Sequence, residues 1–248
     1  AAEPISAVAA ITLSPAPIAA IADSTKDGIL PKIGANGETA LQLYARPAPA
    51  VSGARIAILL THLGLSAERS AAALKNLPPE ISVAVVPQIA DAPELVAEAR
   101  AAGHEAMVML AMEPLNYPNN DPGPKLLLSD LSDAENIKRL HWALARAPGA
   151  IGVVNLQGGR LLATKDKIQP VLTELQQRGL ALVEIEATAQ SQAASLAAAI
   201  KLPFRRPDRH IDKFLSLDDI DAQLAALEAR ASSAGSALGV MATSPLAV

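Results

Sequence analysis

Four apolar runs end in residues equipped for chemistry. "RIAILL" leads into Thr61 and His62, and "LALV" leads into Glu184 and Glu186 on either side of Ile185. "IGVV" leads into Asn155, Leu156 and a "GGR" turn that ends in Arg160. "EAMVMLA" leads into "MEPLNYPNNDPGP", residues 112–124, where four prolines and three asparagines surround Glu113, Tyr117 and Asp121. An imidazole near two carboxylates suits a metal ion or general acid–base work. A threonine hydroxyl becomes a nucleophile only with a base beside it. A glycine pair followed by arginine suits a carboxylate or another anion. A loop stiffened by proline, with Tyr117, Asn119, Asn120 and Asp121 on it, suits one wall of a glycan- or peptide-binding groove.

Each of these has a plainer reading. His62 is then a histidine at the mouth, hydrogen-bonded to some neighbouring group, and the glycines only supply positive φ in a turn. Glu184 and Glu186 share one face if the strand continues, and belong to a solvated loop if it has ended. The proline-rich loop is then a plug whose polar groups satisfy backbone. His104, in a helix-to-strand turn, His141, on a helix, and His210, entering a strand, read as structural or surface residues.

The elements that would position these groups alternate. Strand candidates start at 55, 81, 105, 150, 180, 209 and 237, with helical patterns between them. Ser66 reads as an N-cap, Ser132 and Glu135 as a capping box, and Asp91 with Pro93 as a helix start. Pro170 falls inside a helical pattern and marks either a kink or a later start. Such alternation predicts an α/β fold with a parallel sheet covered by helices, either a barrel or a doubly wound sheet. In both, chemistry sits at the C-terminal ends of the strands, where the residues above fall. Residues 1–54 carry six prolines and read as a flexible or extended arm, with "ALQLYARP" as a short docked strand.

Composition narrows the class. The 248 residues suffice for a full core, and the net charge of −4 is dispersed, which speaks against nucleic acid as a partner. Cysteine is absent, so disulfides and cysteine–metal sites are excluded. Aromatic residues make up 2% of the chain, which leaves Tyr44, Tyr117, Trp142, Phe204 and Phe214 as the available stacking platforms. No apolar run is long enough to span a bilayer. The apolar start is broken by prolines and lacks a basic n-region. It reads either as a mature end left by processing or as a segment behind a membrane anchor.

Four segments, "RIAILLTHLGLS", "MEPLNYPNNDPGP", "LSDAENIKRLHWALARAPGAIGVVNLQGGR" and "RGLALVEIEAT", occur in an order and spacing that resembles the divergent polysaccharide deacetylase family. The resemblance covers roughly residues 55–245. It implies a deformed seven-stranded (β/α) barrel related to carbohydrate esterases, behind the proline-rich arm, in an envelope or extracytoplasmic protein. Members usually continue past the last strand with more helix and strand.

The resemblance also implies a metal site from which this sequence departs. Family members with an intact site carry paired aspartates in a "DDLG" pattern, one a base and one a ligand. Here "THLG" puts Thr61 and His62 there. Leu156 stands where a histidine is expected, Glu184 replaces an aspartate, and Ala242 stands where a late histidine is expected. Only Asp212, in "HIDKF", matches. The expectation is a non-catalytic member without a metal or other cofactor. Its expected partner is a cell-wall glycan, a peptidoglycan fragment or an envelope protein. The expected compartment is periplasmic or otherwise extracytoplasmic, with membrane contact only through an anchor outside this sequence. One alternative is a metal-dependent peptidoglycan deacetylase that uses a divalent ion such as zinc in a site rearranged around His62, Glu184 and Glu186. Another is a protein scaffold acting through the arm. The expected ligand contacts are Glu113, Tyr117, Asn119, Asn120, Asp121, Asn155, Arg160, Glu184, Glu186 and Asp212.

Overall fold

The computed structural model describes residues 11–48 and 53–246. After a 3-10 turn at Ala19–Ile21, the chain forms a hairpin of β1 (Ala22–Thr25) and β2 (Gly28–Pro31), then α1 (Ala40–Leu43). Strands and helices then alternate: β3 (Arg55–Leu63), α2 (Ala67–Asn76), β4 (Ser82–Val85), α3 (Ala92–Ala101), β5 (Ala106–Met112) and α4 (Asp133–Ala145). They continue with β6 (Gly152–Gln157), α5 (Lys165–Gln177), β7 (Ala181–Val183), α6 (Ala193–Ile200), β8 (Phe204–Arg205), β9 (Arg209–His210), α7 (Leu217–Ala234) and β10 (Ser236–Ala242).

β3 to β10 form one parallel sheet in the order β8-β7-β6-β5-β4-β3-β10-β9. A parallel sheet needs cover on both faces, which is why its strands are apolar almost throughout; all seven residues of β5 are buried. The two edge strands are successive pieces of one run, residues 204–210. Leu182 and Glu184 donate backbone hydrogen bonds to Pro203 and Arg205, while Asp208 and Ile211 donate to Leu238 and Val240. The run therefore touches both edges of the curled sheet. The result is a deformed barrel of the deacetylase type, with helices outside.

Local signals set most of the boundaries. Ser66, Ser132 and Ser216 each accept a hydrogen bond from the amide three residues on, which satisfies an orphan first-turn donor. The Glu135 carboxylate turns to Arg139, 3.2 Å away, instead of closing the capping box. α5 runs through Pro170 without a restart, and only the carbonyl of exposed Asp166 loses its donor. "ALQLYARP" is not a strand: Thr39 and Gln42 form a capping box that starts α1. "RHIDKFL" is extended only over Arg209–His210, because the run has already begun pairing at Phe204.

The described residues of the arm pack against the barrel. Ile21, Leu30, Ala40 and Tyr44 are buried in the main core. Arg100, 5% exposed, donates to the carbonyls of Ser14, Tyr44 and Gly149 at 2.7–3.1 Å and stacks on the Tyr44 ring at 4.9 Å. Arg46 ties the segment to the Gly103 carbonyl and to Glu80, and Arg178 donates to the Pro31 carbonyl. These anchors lie in helix-to-strand turns, so the arm covers the base of the barrel, opposite the strand ends that could carry chemistry. Residues 1–10 and 49–52 of the expected arm lie outside the described residues.

Candidate functional site at the barrel mouth

β3 reaches the mouth through an irregularity. Its register against β4 shifts between Leu60 and Leu63, and His62 takes φ 64°. A β-type sequence holding a non-glycine residue at positive φ stores strain, which collects at functional positions. Gln157, at the end of β6, and Lys125, in the loop after β5, share this conformation. Thr61 is buried, and its hydroxyl donates to the Met241 carbonyl at 3.1 Å. Its oxygen lies 2.9 Å from His62 Nδ1. With the hydroxyl proton spent on Met241, Nδ1 is the donor to Thr61 and Nε2 remains an acceptor. Burial holds the His62 pKa below its ordinary value, against the opposing pull of the Glu186 and Asp212 charges, so the ring is neutral at pH 7.

The acids part company once the strand ends. β7 stops at Val183, so Glu184 and Glu186 do not share a strand face. Glu184 is fully buried and accepts from Ser191 Oγ and, at 2.7 Å, from Arg206 Nε. Glu186 is exposed and, among the described residues, accepts only from the Gln157 amide, at 3.2 Å. Asp212 accepts from the Ala242 amide at 2.8 Å. Asn155, expected at the surface of the mouth, is turned inward and fully buried. It donates to the Gln157 carbonyl and accepts from the Ile185 amide, bracing β6 against the chain that leaves β7.

Glu113 is likewise buried, at 1% exposure. It accepts from the Ser129 amide at 2.6 Å and pairs with Arg160 Nε at 3.5 Å. Its carbonyl accepts from the amides of Arg160 and Leu161. Farther along, Asn136 clasps both backbone groups of Leu128. The proline-rich loop is thus pinned at both feet. Between them, Asp121 closes a local turn by accepting from Gly123, Asn120 accepts from Gln157 at 3.3 Å, Asn119 is exposed and Tyr117 is half-buried. The glycine pair has a packing reason: at Gly158, φ 105°, a Cβ would meet the Met112 Cβ at 2.9 Å.

Sequence reasoning missed Arg206, and it read His210 as structural or surface, where the structure shows it exposed. They line a cleft of about 310 Å³ together with Glu184, Ile185, Glu186, Ala187 and Pro207. Nothing in "FRRPDRH" reveals that the first half of the run pairs with β7 and brings Arg206 to Glu184. Also missed were the apolar tips of the rim. Leu65, Leu115, Phe214, Leu215, Leu217 and Leu246 are all exposed, and all follow strand ends.

A three-ligand metal centre of the family type does not fit these residues. Leu156 and Ala242 carry no donor, both Glu184 oxygens are engaged, and one Asp212 oxygen holds a backbone amide. Among the described residues, no group of three or more histidine, aspartate or glutamate side chains is placed to hold a metal ion.

A curled parallel sheet with its polar strand ends gathered at one mouth defines a deacetylase-type barrel. The divergent polysaccharide deacetylase model matches residues 58–248, and the chain belongs to that family. It is 28% identical over 156 residues to the uncharacterized protein YibQ of Escherichia coli K12, covering 62% of this chain and 47% of that protein. An uncharacterized protein of Haemophilus influenzae Rd is 27% identical over 188 residues, covering 75% and 65%. The chain therefore spans less than two thirds of either relative. The crystal structure of the uncharacterized protein ATU2773 from Agrobacterium tumefaciens C58 is 34% identical, with a TM-score of 0.86 over 88% of this chain and 89% of that one.

Proposed function

We propose that this barrel is a non-catalytic, extracytoplasmic member of its family whose mouth recognises a cell-wall component or an envelope protein partner. One observation carries the reading. The polar groups left at the strand ends are largely committed to the chain's own loops: Glu113 to Ser129, Asn155 to Ile185, Glu184 to Ser191 and Arg206, and Asp212 to Ala242. Groups held this way do not assemble a metal-bound water with a base beside it, which hydrolysis of an N-acetyl group by the family route requires. They do hold a rim in one shape, and a preset rim loses little entropy when it binds. The described part of the arm spends its groups on the barrel base, which favours the mouth over the arm as the contact surface.

The test is binding of soluble peptidoglycan fragments and of envelope extract to the parent, Tyr117→Ala and Arg160→Ala. Both variants should weaken binding; Tyr117→Ala should leave the thermal midpoint nearly unchanged, because Tyr117 makes no side-chain hydrogen bond among the described residues, whereas Arg160→Ala also removes the ion pair of buried Glu113 and should lower it. Variants that unfold at markedly lower temperature and bind as the parent does would make the loop a structural plug and sink the reading.

A further inference from the structure

The cleft between the ends of β7 and the 204–210 run has a lopsided charge arrangement. Arg206 is fixed through Nε on fully buried Glu184, yet its side chain is 40% exposed. Its two terminal nitrogens make no other hydrogen bond among the described residues and form an end-on fork. Because Glu184 balances the guanidinium, the fork offers donors but little net charge. Glu186, on the same cleft, keeps one carboxylate oxygen with no hydrogen bond among the described residues and has no cation paired with it there. The net charge of the three groups is therefore negative. The volume, about 310 Å³, lies at the small end of ligand sites.

We propose that this cleft takes the free amino end of a short peptide or amino acid. The ammonium sits on Glu186, and the neighbouring carbonyl or carboxylate oxygen sits on the fork of Arg206. The inference rests on the mouth being a recognition surface and names a ligand class for it. The ammonium is the dominant contact because it meets uncompensated charge, whereas the oxygen meets a guanidinium already paired.

The experiment titrates Ala-Ala, N-acetyl-Ala-Ala and Ala-Ala amide into the labelled protein and follows amide shifts by NMR. Acetylation should weaken binding about tenfold, as loss of a charge-assisted hydrogen bond implies, and amidation should weaken it less. Glu186→Gln, an exposed change that keeps an acceptor for the Gln157 amide, should erase the preference for the free amine. Equal affinity for Ala-Ala and its acetylated form, an unchanged preference in Glu186→Gln, or no shift up to the solubility limit of the peptide would each overturn the proposal. Peptidoglycan binding that is lost in Tyr117→Ala but intact in Glu186→Gln would keep the mouth reading and remove this one.

Discussion

The two ends of the barrel use similar hydrogen-bonding material to different ends. At the base, Arg46, Arg100 and Arg178 donate to carbonyls of the arm and of helix-to-strand turns, and His141 lies between Asp27 of the hairpin and Glu174 of α5. The hairpin is thereby part of the core, and the base is closed by the chain itself. At the mouth, Glu113, Asn155, Glu184 and Asp212 accept from loop amides and side chains, which fixes the loops without covering them. Apolar tips stay exposed, and one carboxylate oxygen of Glu186 has no hydrogen bond among the described residues. The contrast shows that a full set of hydrogen bonds does not by itself distinguish a seal from a surface. What distinguishes them is whether the fixed groups carry a covering segment of the chain or an exposed rim.

The sharpest way to break this comparison is to remove one arginine from each end. Arg206→Ala at the mouth leaves the Glu184 carboxylate fully buried with Ser191 as its one donor among the described residues, and should cost about 3 kcal/mol in urea unfolding. Glu184→Gln should cost about 1 kcal/mol, because the Arg206 side chain, 40% exposed, reaches water on its own. Arg100→Met at the base removes the donors of three carbonyls and the Tyr44 stack, and should cost about 2 kcal/mol. Its signature is local: faster proteolysis within residues 11–48, with mouth binding unchanged. If Arg100→Met weakens mouth binding as much as Arg206→Ala does, the two ends are not independent.

A smaller effect sharpens the same contrast through pH. Burial raises the pKa of Glu174, but hydrogen bonds from His141 and Arg178 outweigh it and leave the folded value below the ordinary one. A depressed carboxyl pKa contributes stability that is fully present above the unfolded value, about 4.3, and lost as pH falls through the folded value. The hairpin should therefore loosen first in acid, seen as loss of hydrogen-exchange protection at β1 and β2 below that pH. Glu174→Gln should flatten this acid limb. Loss of protection at the mouth before the hairpin would contradict the assignment.

Much of this was legible in the sequence, for physical reasons. Apolar runs of strand length separated by helical periods fixed the alternation, and Ser66 and Ser132 marked helix starts because their hydroxyls bond locally. The Thr61–His62 contact was not legible, because it depends on the irregular end of β3 and the positive φ of His62. Inward rotation of Glu113 and Asn155 was not, because it depends on Ser129 and Ile185, which only tertiary pairing brings close. The split of Glu184 from Glu186 depended on β7 ending one residue before Glu184, and strand ends are set by the partner strand. The docked hairpin was hidden because its buried residues are few and spaced among prolines.

The central claim is that the mouth recognises without hydrolysing, and acetate release from purified peptidoglycan tests it most directly. The protein is assayed with a chelator and with added zinc, cobalt or manganese, beside His62→Ala and Glu184→Gln. The account predicts background release under every condition, the same for the parent and both variants. Metal-dependent release by the parent, abolished in either variant, would contradict it and establish a rearranged deacetylase site around His62.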